Sequence, residues 1–210
     1  MEFVNVYFSL GSNLGDRERN IMEALRLLDE ALGCHYSALS RLIETEPAGF
    51  IGGMFLNAAV RYSIPCPTAE AGGCFDTACG KNTGTAADTE KTAGDAEKAA
   101  DTGKTTEVAE KAADTTGKTV EAAGLRLLDQ VKAIERSLGR TDVPEYDSGG
   151  RRIYRSRTID IDILFYGSEH IHCERLTVPH EGIADRPFVM VPLRQIARPS
   201  LTEAFPDIFK

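Results

Sequence analysis

The stretch from residue 67 to residue 124 constrains the fold of this chain more than any other feature. Among Val, Ile, Leu, Met and Phe it holds only Phe75, Val108 and Val120, against 14 Ala, 12 Thr and 8 Gly. Such a segment buries too little apolar surface to offset the entropy of ordering its backbone. It also repeats itself: AEKAADTGKT at 96–105 returns as AEKAADTTGKT at 109–119. Eleven acidic residues outweigh six lysines there. The segment reads as a low-complexity Ala/Thr/Gly/Lys/Glu insert, disordered or weakly helical. Its two GKT triplets, at 103–105 and 117–119, lack the glycine that a phosphate-binding loop places five residues upstream; Lys98 and Ala112 stand there.

The remainder, 1–66 and 125–210, has the size of one ordinary domain. FVNVYFSL at 3–10 predicts a buried strand running into the turn GSNLGD. Asp16 is placed to cap a helix that carries Ile21, Leu25, Leu28 and Leu32 on one face and stops at Gly33. SALSRLIETEP at 37–47 contains a second strand that Pro47 helps to end, and MFLNAAVRYSI at 54–64 a third. Leu125, Leu128, Val131, Ile134 and Leu138 mark a second helix closed by Gly139. A long loop at 140–156 leads to a strand at 158–166, and RPFVMVPLRQIA at 186–197 is expected to begin extended and end as a short helix. Strands interleaved with two main helices predict an α+β or α/β sandwich.

Composition removes several functional classes. The net charge is −8, which leaves no global basic footprint for nucleic acid. No apolar run is long enough to span a bilayer, and MEFVNVYFSLGSN shows no signal-peptide pattern, so a cytoplasmic protein is expected. Cys34, Cys66, Cys74, Cys79 and Cys173 are odd in number and scattered, which suits a reducing compartment. Without a CxxC pair or a neighbouring histidine, Cys66, Cys74 and Cys79 do not make a zinc site.

Chemistry concentrates in RTIDIDILFYG at 157–167. Side chains on a strand alternate, so Asp160 and Asp162 share one face while Ile159, Ile161 and Ile163 take the other. The two carboxylates are then about 6–7 Å apart at Cα, close enough to share divalent cations, and all-oxygen ligands favour Mg²⁺ completed by water and phosphate. A solvated strand face would tolerate two acids equally well. Arg140, Arg151, Arg152, Arg155 and Arg157 crowd the loop and strand edge that lead to this pair. Guanidinium forks grip phosphate oxygens, so the loop suits a clamp on metal-bound nucleotide, although rim arginines in surface ion pairs would look the same. His180 sits between Arg175 and Arg186 and could donate to a phosphate oxygen. Phe55 and Phe188 could sandwich a flat heterocycle or simply pack in the core.

Four separated motifs, FSLGSNLGDR, ETEPAGF with FLNAAV, RSRTIDIDILFYG and RLTVPHEGIADRPFVMVPLRQIA, occur in an order that resembles the 6-hydroxymethyl-7,8-dihydropterin pyrophosphokinase family. The resemblance covers most of 3–66 and 125–200. It implies a ferredoxin-like α+β sandwich with a mainly antiparallel sheet. It also implies transfer of pyrophosphate from ATP to the hydroxymethyl oxygen of the pterin, with release of AMP. By resemblance Asp160 and Asp162 hold two Mg²⁺ ions, and Arg157, Arg140 and Arg155 serve catalysis. The pterin would meet Gly11, Thr45, Pro47, Ala48, Phe55, Asn57 and Phe188. ATP would meet Arg140, Tyr154, Arg157, Ile163, Arg175, Thr177, His180 and Arg186. A monomer acting on two small molecules, with neither nucleic acid nor membrane as partner, is the expectation. The chain departs from the family at Arg155-Ser156, where Gly-Pro is frequent, at Tyr154, where a loop tryptophan is frequent, and at Glu181, where an aromatic residue often follows the histidine.

Two other functions stay open on sequence grounds. A Mg²⁺-dependent nucleotidyltransferase would also use the paired aspartates but would release pyrophosphate. A stress-type interaction protein would act through the repeat in the insert and need no catalytic site.

Overall fold

The computed structural model describes residues 2–47, 52–66, 105–140, 145–146, 149–150, 152–153 and 156–210. The chain divides into two units, Met1–Pro67 with Val120–Lys210, and Thr68–Thr119. The first unit carries everything that positions the site.

Strands buried over most of their length build the sheet. Strand β1 (Phe3–Ser12) is central and pairs antiparallel with β4 (Phe55–Pro65) on one side and β7 (Asp160–Tyr166) on the other. The short strands β2 (Ala38–Leu39) and β3 (Ile43–Thr45) both pair with β4, so the single predicted strand at 37–47 is two pieces. The break lies at Arg41, whose backbone N–H donates to the side chain of Gln195 rather than to the ladder. With five antiparallel strands and helices on both faces, the unit is an α+β fold.

On one face Val6, Phe8 and Leu10 of β1, Val60 and Tyr62 of β4, and Ile159, Ile161 and Ile163 are fully covered. Helix α1 (Arg17–Leu32) supplies Ile21, Leu25 and Leu28 to this core. It starts at Asp16, whose carboxylate accepts from the Arg19 backbone N–H at 3.0 Å, and it stops at Gly33 in the left-handed conformation (φ 66°). Helix α2 (Thr105–Ser137) adds Leu127, Val131 and Ile134. The apolar stripe predicts a start near Leu125, but the helix begins twenty residues earlier, inside the alanine-rich segment, because alanine propagates a helix that tertiary packing has already nucleated.

On the opposite face Tyr7, Ala59, Leu164 and Phe165 meet helix α3 (Pro187–Ile196) through Val189, Met190, Leu193 and Ile196, and helix α4 (Pro199–Ala204) through Leu201. The expectation that 186–197 begins extended is corrected: α3 is helical from Pro187, because proline at the first helical position loses no hydrogen bond and presets φ. The register slips between Tyr7 and Phe8, which pair with Phe165 and Ile163, so Leu164 is the extra residue of a bulge. The bulge puts Leu164 and Phe165 on the same face. Within the predicted loop at 140–156, β5 (Glu145–Tyr146) pairs with β6 (Arg152–Ile153). A hairpin of β8 (Ile171–His172) and β9 (Thr177–Val178) lies against α2 at Gly124, where a Cβ would come within 2.7 Å of the Ile171 Cδ1.

Candidate functional site

The α3 side of the sheet carries a row that is not apolar. Asn57 on β4, Gly11 on β1 and Asp160 on β7 are cross-strand partners, as are Ala59, Ser9 and Asp162 in the next row. Two interstrand spacings separate Asn57 from Asp160, about 10 Å. Gly11 lies between an amide end and a carboxylate end, and in the next row Ala59 and Ser9 are buried.

At the amide end Asn57 is buried and donates its Nδ2 to the Thr45 hydroxyl at 2.8 Å. A Cβ at position 11 would stand 3.1 Å from the Asn57 Oδ1 and 3.6 Å from the Phe55 ring, so glycine there lets both side chains lie against the β1 backbone. Thr45, Phe55, Asn57 and Gly11, all expected to meet the pterin, are therefore neighbours. Pro47 follows two residues beyond β3 and is half-buried. Phe188 lies half-buried in the first turn of α3, against the second core. Ala48 lies outside the described residues.

At the carboxylate end Arg157 donates to the Asp160 Oδ2 at 2.6 Å, and Arg140 donates to its Oδ1. Arg140 also reaches Glu135, which is fully buried near the end of α2. Glu135 further accepts from Lys132 at 2.8 Å and from the Ile161 backbone N–H at 2.8 Å. It thereby satisfies the outer edge of β7 between the two aspartates. Burial raises the Glu135 carboxyl pKa, opposed by Lys132, Arg140 and the Ile161 N–H. Burial also raises that of Asp162, helped by the charge of Asp160 and opposed by His180, Lys132 and Arg186.

His180 donates from Nδ1 to the Glu181 carbonyl at 2.8 Å, which leaves Nε2 on the side of Asp162, 3.8 Å from its Oδ1. The His180 backbone N–H donates to the Leu164 carbonyl, so the segment is pinned to the edge of β7. Arg186 is the residue just before α3. Arg175 and Thr177 lie on the β8–β9 hairpin, and Arg175 is exposed and paired with Asp129 of α2 rather than with either aspartate. The Ile163 side chain belongs to the core under α1 and α2, so it offers a ligand only its backbone on the edge strand. Tyr154 and Arg155 lie outside the described residues.

Two residues in this arrangement carry no site role in the sequence reading. Glu135 stands four residues after Val131 and three before Leu138, so an acid in the apolar stripe of α2 is its visible signal. Asn13 is the second. It is buried, accepts from the Arg157 backbone N–H at 2.6 Å, and donates to the Gly53 carbonyl and the Ser156 hydroxyl.

Paired carboxylates beside a group of cations suit a metal-bound polyanion. Asp160 and Asp162 supply two hard oxygen donors on one face, with like charges that a divalent cation relieves. Among the described residues no cluster of three or more His, Cys, Asp and Glu side chains is placed to hold a metal by itself. The other ligands would come from phosphate and water, as Mg²⁺ prefers.

Comparison with known proteins points the same way. The model of the 7,8-dihydro-6-hydroxymethylpterin-pyrophosphokinase family matches residues 7–72 and 99–198. A mitochondrial folate synthesis bifunctional protein of Pisum sativum is 33% identical over 192 residues, 91% of this chain and 25% of that protein. A 2-amino-4-hydroxy-6-hydroxymethyldihydropteridine pyrophosphokinase of Haemophilus influenzae is 44% identical over 77 residues, 37% of this chain and 43% of the relative. One of the same name from Porphyromonas gingivalis is 31% identical over 194 residues, 91% of this chain and 90% of the relative. The chain thus spans about a quarter of the plant bifunctional proteins it matches.

Proposed function

The chain belongs to the 7,8-dihydro-6-hydroxymethylpterin-pyrophosphokinase family, and from that premise we propose that it transfers pyrophosphate from ATP to 6-hydroxymethyl-7,8-dihydropterin, a step of folate synthesis. The observation that carries this reading is the row Asn57–Gly11–Asp160. It sets the buried Asn57 amide and the carboxylate and arginine cluster on one sheet face, two strands apart.

The pterin occupies the amide end. Its edge hydrogen-bonds to Asn57, held by Thr45, and its ring stacks on Phe55 with Phe188 on the other side. The flat ring needs close approach to β1, which Gly11 permits. ATP lies over Asp160 and Asp162, with its phosphates toward Arg140 and Arg157 and its nucleoside toward His180, Arg186 and the β8–β9 hairpin with Thr177. Asp160 and Asp162 would hold two Mg²⁺ ions, which would supply positive charge against that of the phosphates. The pterin hydroxyl oxygen bonds to the β-phosphorus as the bond from that phosphorus to the α,β-bridging oxygen breaks, and AMP leaves with that oxygen. The hydroxyl proton passes to solvent. Arginine forks steady the charge that develops, and positioning does the rest.

The finer assignments belong to the same proposal. We read the sheet as ferredoxin-like, the protein as a monomer, and 67–124 as an insert outside the catalytic domain except at 120–124, which pack in the first unit. Cytoplasmic action is supported by the scattered cysteines. Among the described residues no helix is long and apolar enough to cross a membrane.

Asp160→Asn tests the metal role. The charge is lost but the shape is kept, so the variant should fold, and turnover should fall at least about a hundredfold. Near-normal turnover would refute the assignment.

A further inference from the structure

We propose that Arg140 and Arg157 are place-holding counter-ions that pass from carboxylate to phosphate as substrate enters, so that the site selects a divalent cation carried on a polyphosphate over the free cation. The inference deepens the functional reading above and rests on it.

Both oxygens of Asp160 are engaged, Oδ2 by Arg157 at 2.6 Å and Oδ1 by Arg140. The same Arg140 nitrogen meets Glu135. Among the described residues three carboxylates, Glu135, Asp160 and Asp162, face four full cations, Lys132, Arg140, Arg157 and Arg186. These groups leave no net negative charge. A lone divalent cation therefore meets no net attraction, and to ligate Asp160 it must push a guanidinium off a charge-assisted hydrogen bond without offering another. A cation arriving on a triphosphate brings the replacement anion. The fork leaving Asp160 finds phosphate oxygens of matching geometry, and every charge keeps a partner throughout the exchange.

Burial distinguishes the parts that move from the part that stays. The side chains of Arg140 and Arg157 retain 13% and 23% exposure, whereas that of Glu135 retains none. Glu135 is also bonded to the Ile161 backbone. It is the fixed post, keeping Arg140 within reach when that arginine leaves Asp160. A device built only for stability would have no use for arginines on both oxygens of a carboxylate that the reaction needs.

The test is Mn²⁺ binding to the full chain, followed by electron paramagnetic resonance with and without a non-hydrolysable ATP analogue, in wild type, Arg140→Gln and Arg157→Gln. Each variant should bind Mn²⁺ alone roughly tenfold more tightly than wild type, and Mn²⁺ with the analogue roughly tenfold more weakly. Opposite signs are the signature, because a structural defect weakens both. Thermal melts monitor folding, and the less buried Arg157 provides the second variant should Arg140→Gln fail to fold. Unchanged or weaker binding of Mn²⁺ alone in a folded variant overturns the exchange, provided wild type shows analogue-dependent Mn²⁺ binding that Asp160→Asn abolishes. If wild type shows no such binding, the functional reading itself is wrong.

Discussion

Asn13 and Arg157 hold each other twice. The Asn13 backbone N–H donates to the Arg157 carbonyl at 3.1 Å, and its side-chain Oδ1 accepts from the Arg157 backbone N–H at 2.6 Å. The amide nitrogen of the same side chain then reaches Gly53 and Ser156. One buried asparagine thus joins the turn after β1, the approach to β4 and the approach to β7, segments that the functional reading assigns to both substrates. Asn13→Ala should cost about 1–3 kcal/mol of stability and lower kcat/KM for both substrates by roughly tenfold or more. Asn13→Asp keeps the acceptor for Arg157 but loses the two donated bonds, and should fall between alanine and wild type. Equal kinetics in all three proteins would show that this junction does not position the site.

Gly11→Ala addresses the amide end alone. The added methyl would press on Asn57 and Phe55, a misfit of about 1–3 kcal/mol. KM for the pterin should rise roughly tenfold, while KM for ATP changes less than about twofold. A larger effect on ATP would contradict the assignment of the two ends.

Much of this arrangement is legible in the order of residues alone. β1, α1, β4 and β7 follow from short apolar runs or from a helical stripe bounded by Asp16 and Gly33, and Asp160 and Asp162 share a face because strands alternate. The rest comes from tertiary context. The helical extension of α2 depends on a core that holds its C-terminal half. The helical start of α3 depends on Pro187 being first rather than internal. The bulge at Leu164 shows in no local pattern. Arg175 fits a phosphate-binding motif, yet it pairs with Asp129 on the molecule's surface. Glu135 and Asn13 act through long-range hydrogen bonds, which a motif does not contain.

Alkaline stability should report on two buried phenols. The Tyr62 hydroxyl donates to Asp29 at 2.7 Å inside the first core, and burial, then this bond, hold its pKa well above the ordinary phenol range. Burial pushes Tyr166 up to about 12. The unfolded chain ionises first, at about pH 10. The stability these groups contribute is therefore complete below that pH and is lost as pH climbs toward their folded values. Unfolding free energy from urea titrations should decline between about pH 10 and 12, and Tyr62→Phe should flatten part of the decline. An identical slope in the variant would argue against the buried Tyr62–Asp29 bond.

Trimming tests whether the insert is dispensable. A chain joined from 66 to 120 through a short glycine-serine linker should fold, because the added loop contributes only closure entropy. Its kcat should stay within about threefold of the full chain. Loss of turnover in a folded trimmed protein would give the insert a catalytic part. Retention of a separable binding activity in the insert alone would favour the interaction-protein reading.

Product analysis tests the central claim most directly. The protein is incubated with ATP, Mg²⁺ and 6-hydroxymethyl-7,8-dihydropterin, and the nucleotides and pterins are separated by chromatography. The account predicts AMP and the pterin diphosphate ester appearing in equal amounts, with neither formed when the pterin is left out. Free pyrophosphate with a nucleotidylated product, or ADP in place of AMP, would contradict it.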